Sequence, residues 1–260
     1  MDSGYSILLE TEINVNHTVR LLVSVKNAIE AKIALDCGID ILDVKAPRRG
    51  PLGRPSLEDL RKISELTSTD TVYRSFAWGE LRDLSPEHVN FPSLPENFNF
   101  FKLGLSQLAN NEKWPDLWKK QLQRFAGFNP VAVAYGDFPR CAAPHPETIM
   151  EVGQQLGCQF FLIDTFSKIP KKNIFSYQSA DTVQKWIEKA KNLGMKTVIA
   201  GSITSDEIKR CVAIAPDYIG VRGAVCSNGR ETNLEIAKLN ELIELLREAN
   251  GQAQNEKRRC

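Results

Sequence analysis

The residues best able to do chemistry in this 260-residue chain lie at the ends of short apolar runs. The run 39–45 ends Asp43-Val44-Lys45, a carboxylate and an amine two residues apart. In a strand, residues two apart share a face, so Asp43 and Lys45 point one way and Val44 the other. A partly desolvated amine beside other cations has a lowered pKa. It can attack a carbonyl to form a Schiff base, and a neighbouring carboxylate can move protons in the same reaction. Taken singly, the pair reads first as an ordinary ion pair at a strand end. The pattern recurs, however. FNFFKLGL carries Lys102, FFLID ends on Asp164, and Lys168 follows four residues later. Tyr135 and Asp137 follow another apolar run.

Two further runs end on small residues, AGSITSDE and IGVRGAV. Backbone N–H groups freed by small residues ahead of a helix can reach a phosphate, which makes Gly201, Ser202 and Gly223 candidates, with Arg222 as a fixed cation.

These positions gain meaning from the elements that carry them. Strands are expected at 21–25, 39–45, 72–78, 98–105, 131–135, 160–164, 197–200 and 218–221. Helices are expected at 27–37, 56–66, 114–125, 146–156, 181–193, 205–215 and 233–249. The strands are continuously apolar, as when both faces are buried. Eight βα units over about 230 residues suit a single TIM (β/α)8 barrel, whose active site lies at the C-terminal ends of the strands. Lys45, Lys102, Asp164 and Lys168 all fall at that end. A doubly wound open sheet is the runner-up, but LLVSVKNA lacks the Gly-rich turn that such a sheet carries after its first strand. The division expected is an N-terminal extension over 1–20, the barrel over 21–249, and a disordered polar tail over 250–260, with an irregular insertion at 83–95.

Composition narrows the classes. A net charge of +1, from 33 basic and 32 acidic side chains, does not suggest nucleic-acid or anionic-membrane partners. Six cysteines form no C-x-x-C pair, and no Cys/His group has zinc spacing, so a reducing, cytoplasmic setting without a metal is expected. Cys226 has nothing local to mark it as a nucleophile. His17, His88 and His145 sit in scattered loop contexts, and Lys171 and Lys172 read as solvated.

The segments LLVSV, GIDILDVKAPRRGPLG, FFKLGL, LGCQFFLIDTFSK, IFSYQ, AGSI and IGVRGAVC followed by NGR resemble the (5-formylfuran-3-yl)methyl phosphate synthase family over nearly the whole barrel. The resemblance implies a class I aldolase-like barrel in methanofuran biosynthesis. Such a barrel condenses two molecules of glyceraldehyde 3-phosphate into a furan, with loss of phosphate and water and with no metal or cofactor. On that resemblance Lys45 matches the Schiff-base lysine and Asp43 the carboxylate beside it. Asp164 and Lys168 match a second acid/base pair, Lys102 matches a further barrel lysine, and Gly201, Ser202, Arg222 and Gly223 fall where phosphate is held. Departures are Ala46 and Arg49, where the family usually has Asn and an acidic residue. Arg48 and Arg49 are then either phosphate contacts or a solvated turn. A homo-oligomer is expected. Other readings are a different Schiff-base aldolase and a non-enzymatic barrel. A decarboxylase of the D-x-K-x-x-D type would need an aspartate where Arg48 stands.

Overall fold

Eight parallel strands hydrogen-bond in chain order and close on themselves, the first pairing with both the second and the eighth. This computed structural model describes residues 17–66, 72–84, 93–170 and 172–258. The strands are β1 (Arg20–Val25), β2 (Ile41–Val44), β3 (Tyr73–Glu80), β4 (Phe100–Gly104), β5 (Asn129–Tyr135), β6 (Phe160–Asp164), β7 (Lys196–Ile199) and β8 (Tyr218–Val221). The helices are α1 (Ala28–Asp36), α2 (Leu57–Ser64), α3 (Trp114–Leu122), α4 (Pro146–Gln155), α5 (Ala180–Asn192), α6 (Ile208–Ile214) and α7 (Ile236–Lys257). Among the described residues, β3 and β4 are joined without an α-helix, and much of the expected 83–95 insertion lies outside them.

Local chemistry sets the helix starts. The Asn27 side chain accepts from the Glu30 N–H at 3.0 Å, and Ser56 accepts from the Asp59 N–H at 3.0 Å. Each satisfies a donor that the first helical turn leaves free.

Strand alternation sorts the core into two shells. Leu42 and Val44 of β2 join Val23, Val25, Phe76 and Phe101 in the layer under the helices. Ile41 faces inward with Leu22, Phe100, Phe160, Leu162 and Val198. The inner set plugs the lower barrel, where the Phe100 and Phe160 rings lie 4.5 Å apart. Above this plug the inward positions turn polar. Ser24, Asp43 and Ser75 are register partners on β1, β2 and β3, and Lys102 joins them from β4.

Two expectations at the chain ends are corrected. Residues 250–257 continue α7 instead of forming a disordered tail. Asn250 explains why: its side chain accepts from the Val19 N–H at 3.0 Å and donates to the Val19 carbonyl at 2.9 Å. Gln254 reaches Thr18 Oγ1 at 3.2 Å. The polar composition belongs to a helix anchored at one flank. The extension also ends sooner than expected, because His17 meets the Pro216 carbonyl at 2.8 Å, Val19 is buried and Arg20 opens β1. Residues 1–16 lie outside the described part.

β3 runs on to Glu80 through a register shift against β4. The buried Glu80 carboxylate accepts from Tyr135 Oη at 2.6 Å and from the Ser106 N–H at 3.0 Å. A Cβ at Gly104 would land on this pinned carboxylate. Gly104→Ala should therefore break one of these bonds and destabilise the barrel by about 1–3 kcal/mol, measurable as a lowered denaturant midpoint at unchanged slope.

Candidate active site

The floor of the mouth is built on Asp43. Its Oδ2 accepts from Ser24 Oγ at 2.9 Å and its Oδ1 from Ser75 Oγ at 2.8 Å. Lys102 closes an ion pair on Oδ1. Burial alone would raise the Asp43 carboxyl, but the Lys102 and Lys45 charges and these hydrogen bonds outweigh it and hold the group below the usual carboxylate range.

A second pair stands at the end of β6. Asp164 Oδ1 accepts from Lys168 Nζ at 2.6 Å and from the Thr165 N–H at 2.7 Å. Burial works against ionisation here too, yet Lys168 and Lys45 hold Asp164 at about 2. The Lys168 amine is lowered by burial despite its partner. The loop that presents it is fixed from β5: the Asp137 carboxylate accepts from the Phe166 N–H at 2.6 Å and the Ser167 N–H at 2.8 Å. The sequence placed Asp137 after the fifth strand but gave no sign of this positioning role.

Lys45 lies between the two pairs. Burial lowers its amine to about 8, with Lys168 and Arg230 adding to the effect and Asp164 and Asp43 opposing it. Lys102 and Lys168 each hold a carboxylate, whereas the Lys45 amine makes no hydrogen bond or ion pair among the described residues. It faces a cavity of about 700 Å³ that also touches Asp43, Lys102, Asp164 and Lys168. The five residues expected to act together are thus brought together.

After β7, Gly201 at φ +97° and Ser202 at φ +57° turn the chain. A side chain at Gly201 would press on Thr165 and Ile174. The backbone N–H groups of Ser202 and Ile203, and of Gly223 and Ala224 after β8, have no acceptor within the described residues, and all four residues line the cavity.

Arg222 requires a correction. Its side chain is buried, and all five of its N–H groups are engaged within the protein: Nη1 and Nη2 with the Glu30 carboxylate, and the rest with the carbonyls of Ser24, Arg230 and Thr232 at 2.8–3.0 Å. A guanidinium has five donors, so none is left for a phosphate. It ties α1 and β1 to the loop after β8. Among the described residues, the guanidinium that lines the cavity with donors to spare is Arg230, in the NGR turn. Its signal was weak in sequence because it sits in an irregular loop with no periodicity.

Other candidates resolve simply. Burial raises the Cys226 thiol, which donates to the Arg222 carbonyl at 3.1 Å. His145 caps α4, and His88 and Lys171 lie outside the described residues. Arg48 pairs with Glu231 at 3.6 Å in solvent, and neither it nor Arg49 lines the main cavity. No helix of the described residues is long and apolar enough to cross a membrane.

A closed eight-stranded parallel barrel with lysine–carboxylate pairs at the C-terminal ends of its strands defines a TIM barrel, with the candidate site at the face this fold uses for its active sites. Phosphoribosyl anthranilate isomerase from Thermus thermophilus shares the fold at TM-score 0.61 and 19% identity, over 88% of this chain and 99% of that one. 3-Hexulose-6-phosphate synthase from Salmonella typhimurium does so at TM-score 0.54 and 12% identity, over 87% and 99%. The particular family is given by sequence. The profile of 4-HFC-P synthase matches residues 21–243, and the chain belongs to that family. Curated relatives named (5-formylfuran-3-yl)methyl phosphate synthase include those of Methanocaldococcus jannaschii, 30% identical over 88% of this chain and 98% of that one, and Methanobrevibacter smithii, 28% identical over 86% and 98%.

Replacing Arg222 by Met would leave the Glu30 carboxylate buried without its partner. Breaking a buried pair from one side costs about 3–5 kcal/mol. Arg222→Met should lose about that much stability in chemical denaturation, whereas a solvent pair such as Arg48–Glu231 should cost under about 1 kcal/mol.

Proposed function

We propose that the protein condenses two molecules of glyceraldehyde 3-phosphate into (5-formylfuran-3-yl)methyl phosphate through a Schiff base on Lys45, in methanofuran-type one-carbon-carrier biosynthesis. The observation that carries this reading is the unpaired Lys45 amine, lowered to about 8 between two carboxylates that other lysines already neutralise.

The chemistry follows from those surroundings. The neutral amine adds to an aldehyde and expels water, giving an iminium. The iminium draws electrons from the adjacent C–H, so a base can remove that proton and leave an enamine, the carbon nucleophile that the condensation needs. Atom balance from two trioses to the furan requires the loss of one phosphate and two waters. Those departures call for proton transfer on more than one side of the substrate. Asp164 with Lys168 and Asp43 with Lys102 supply donor–acceptor pairs on two sides of Lys45. The N–H groups of Ser202, Ile203, Gly223 and Ala224 offer one substrate phosphate a cradle, with Gly201 setting the turn. The family resemblance supports the same assignment for Lys45, Asp43, Asp164, Lys168 and Lys102.

Borohydride reduction in the presence of glyceraldehyde 3-phosphate should add a stable mass to Lys45, and a near-ultraviolet band from the furan should grow with turnover. An acyclic aldol product would give no such band. Lys45→Ala should lose both signals, and full activity in that variant would sink the Schiff-base mechanism.

The pH dependence has a definite sign. Attack requires the neutral amine, so kcat/KM should rise as pH increases through about 8. Asp164, held at about 2, stays ionised across this range and contributes no limb. A profile flat from pH 6 to 9 would show that the free amine is not the attacking group.

A further inference from the structure

Condensing two phosphorylated trioses poses a requirement that one phosphate cradle does not meet. Two phosphate monoesters repel each other, so each needs its own source of positive charge. The amide groups after β7 and β8 offer a place for one. The cavity, at about 700 Å³, is within the size range of sites that enclose whole drug-sized ligands, so space for the second triose is present.

Arg230 has the attributes of the missing partner. Its half-buried guanidinium uses one donor, Nη2, on the Gly50 carbonyl at 2.9 Å, and the other four have no acceptor among the described residues. No carboxylate lies within ion-pair distance of it there, although Asp164 and Glu231 are near enough to act electrostatically. The neighbouring Arg222, by contrast, has every donor satisfied. The loop that presents Arg230 is rigidly built. Arg222 Nε holds the Arg230 carbonyl at 2.8 Å, Arg222 Nη2 holds the Thr232 carbonyl at 2.9 Å, and Thr232 Oγ1 accepts from the Asn228 N–H at 2.9 Å. Lys26 Nζ fixes the Glu231 carbonyl at 3.0 Å. A planar fork of free N–H groups on a braced loop is the arrangement that binds phosphate through paired, charge-assisted bonds.

On the reading that two phosphorylated trioses meet at Lys45, we propose that Arg230 holds the phosphate monoester of one of them, in a second anion subsite separate from the amide cradle of the β7 and β8 loops. With Lys168 also lining the cavity, the subsite places two cations near the carbon framework, where they stabilise the charge on a departing phosphate. The bond broken there is the C–O bond of the monoester. Its electron pair leaves with the phosphate, and the proton lost from the adjacent carbon passes to a neighbouring base.

The test counts anions and follows the amine. Calorimetric titration with inorganic phosphate should give two sites in the wild type and one in Arg230→Ala. The variant should lose about 10²-fold or more in kcat/KM with glyceraldehyde 3-phosphate. At pH above its limb, borohydride should still trap unphosphorylated glyceraldehyde on Lys45, because the amine remains. The pH limb of that trapping should move upward, since Arg230 faces Lys45 together with Asp43, Asp164 and Lys168. Arg230→Lys should recover part of the phosphate affinity. If Arg230→Ala fails to fold, Arg230→Gln keeps a donor near Gly50, removes the charge and answers the same count. Two phosphates still bound by the neutral variant, or wild-type kcat/KM, would overturn the subsite. A wild type that makes no furan would instead reject the condensation, and the phosphate count would still decide the role of Arg230.

Discussion

Ion pairing at the barrel mouth is unequal: three lysines, two of them buried and Lys168 half-buried, share two carboxylates. Asp43 is held by Lys102 and two serine hydroxyls, and Asp164 by Lys168 and its own backbone. Both acids therefore take their direct bonds from partners other than Lys45, whose charge favours the anions only from a distance. The third amine keeps the cost of burial without a direct bond to offset it, and its proton is correspondingly loose. Had either acid bonded Lys45 directly, the charged form would be favoured and the proposed Schiff base would lack its free amine. The chemistry of the site thus depends on which lysine takes which carboxylate, and the strand register determines that.

Around this centre the structure works to keep loops still. Arg222 and Glu30 form a buried tie between the end of β8 and α1, and the same guanidinium braces the turn that carries Arg230. Asp137 does the equivalent for the Lys168 loop through two backbone N–H groups. Neither residue needs to meet a substrate to matter. Each fixes the position of a cation that does line the cavity, and small displacements there weaken charged interactions steeply.

Much of this was legible in the residues alone. All eight strands were, with β6 and β8 at the bounds observed, because continuous apolar runs mark strands buried on both faces. Asp43, Lys45, Lys102, Asp164 and Lys168 could be placed at one end because period-two alternation and strand ends fix face and height. What alternation does not encode is pairing across the barrel. Glu30 lies 192 residues from Arg222, and nothing near either reveals the other, so Arg222 read as a free cation. Arg230 sits in a turn without periodicity, and the helical course of residues 250–257 was hidden by a polar composition whose anchor, Val19, is remote in sequence.

The bond between Asn250 and Val19 has an architectural meaning beyond closing the seam between the first strand and the last helix. It gathers the two ends of the described chain at the pole opposite the lysines, since β1 begins there and α7 returns to it. Among the described residues, the barrel thus keeps its chain ends at one pole and its lysine–carboxylate pairs at the other, a full strand apart.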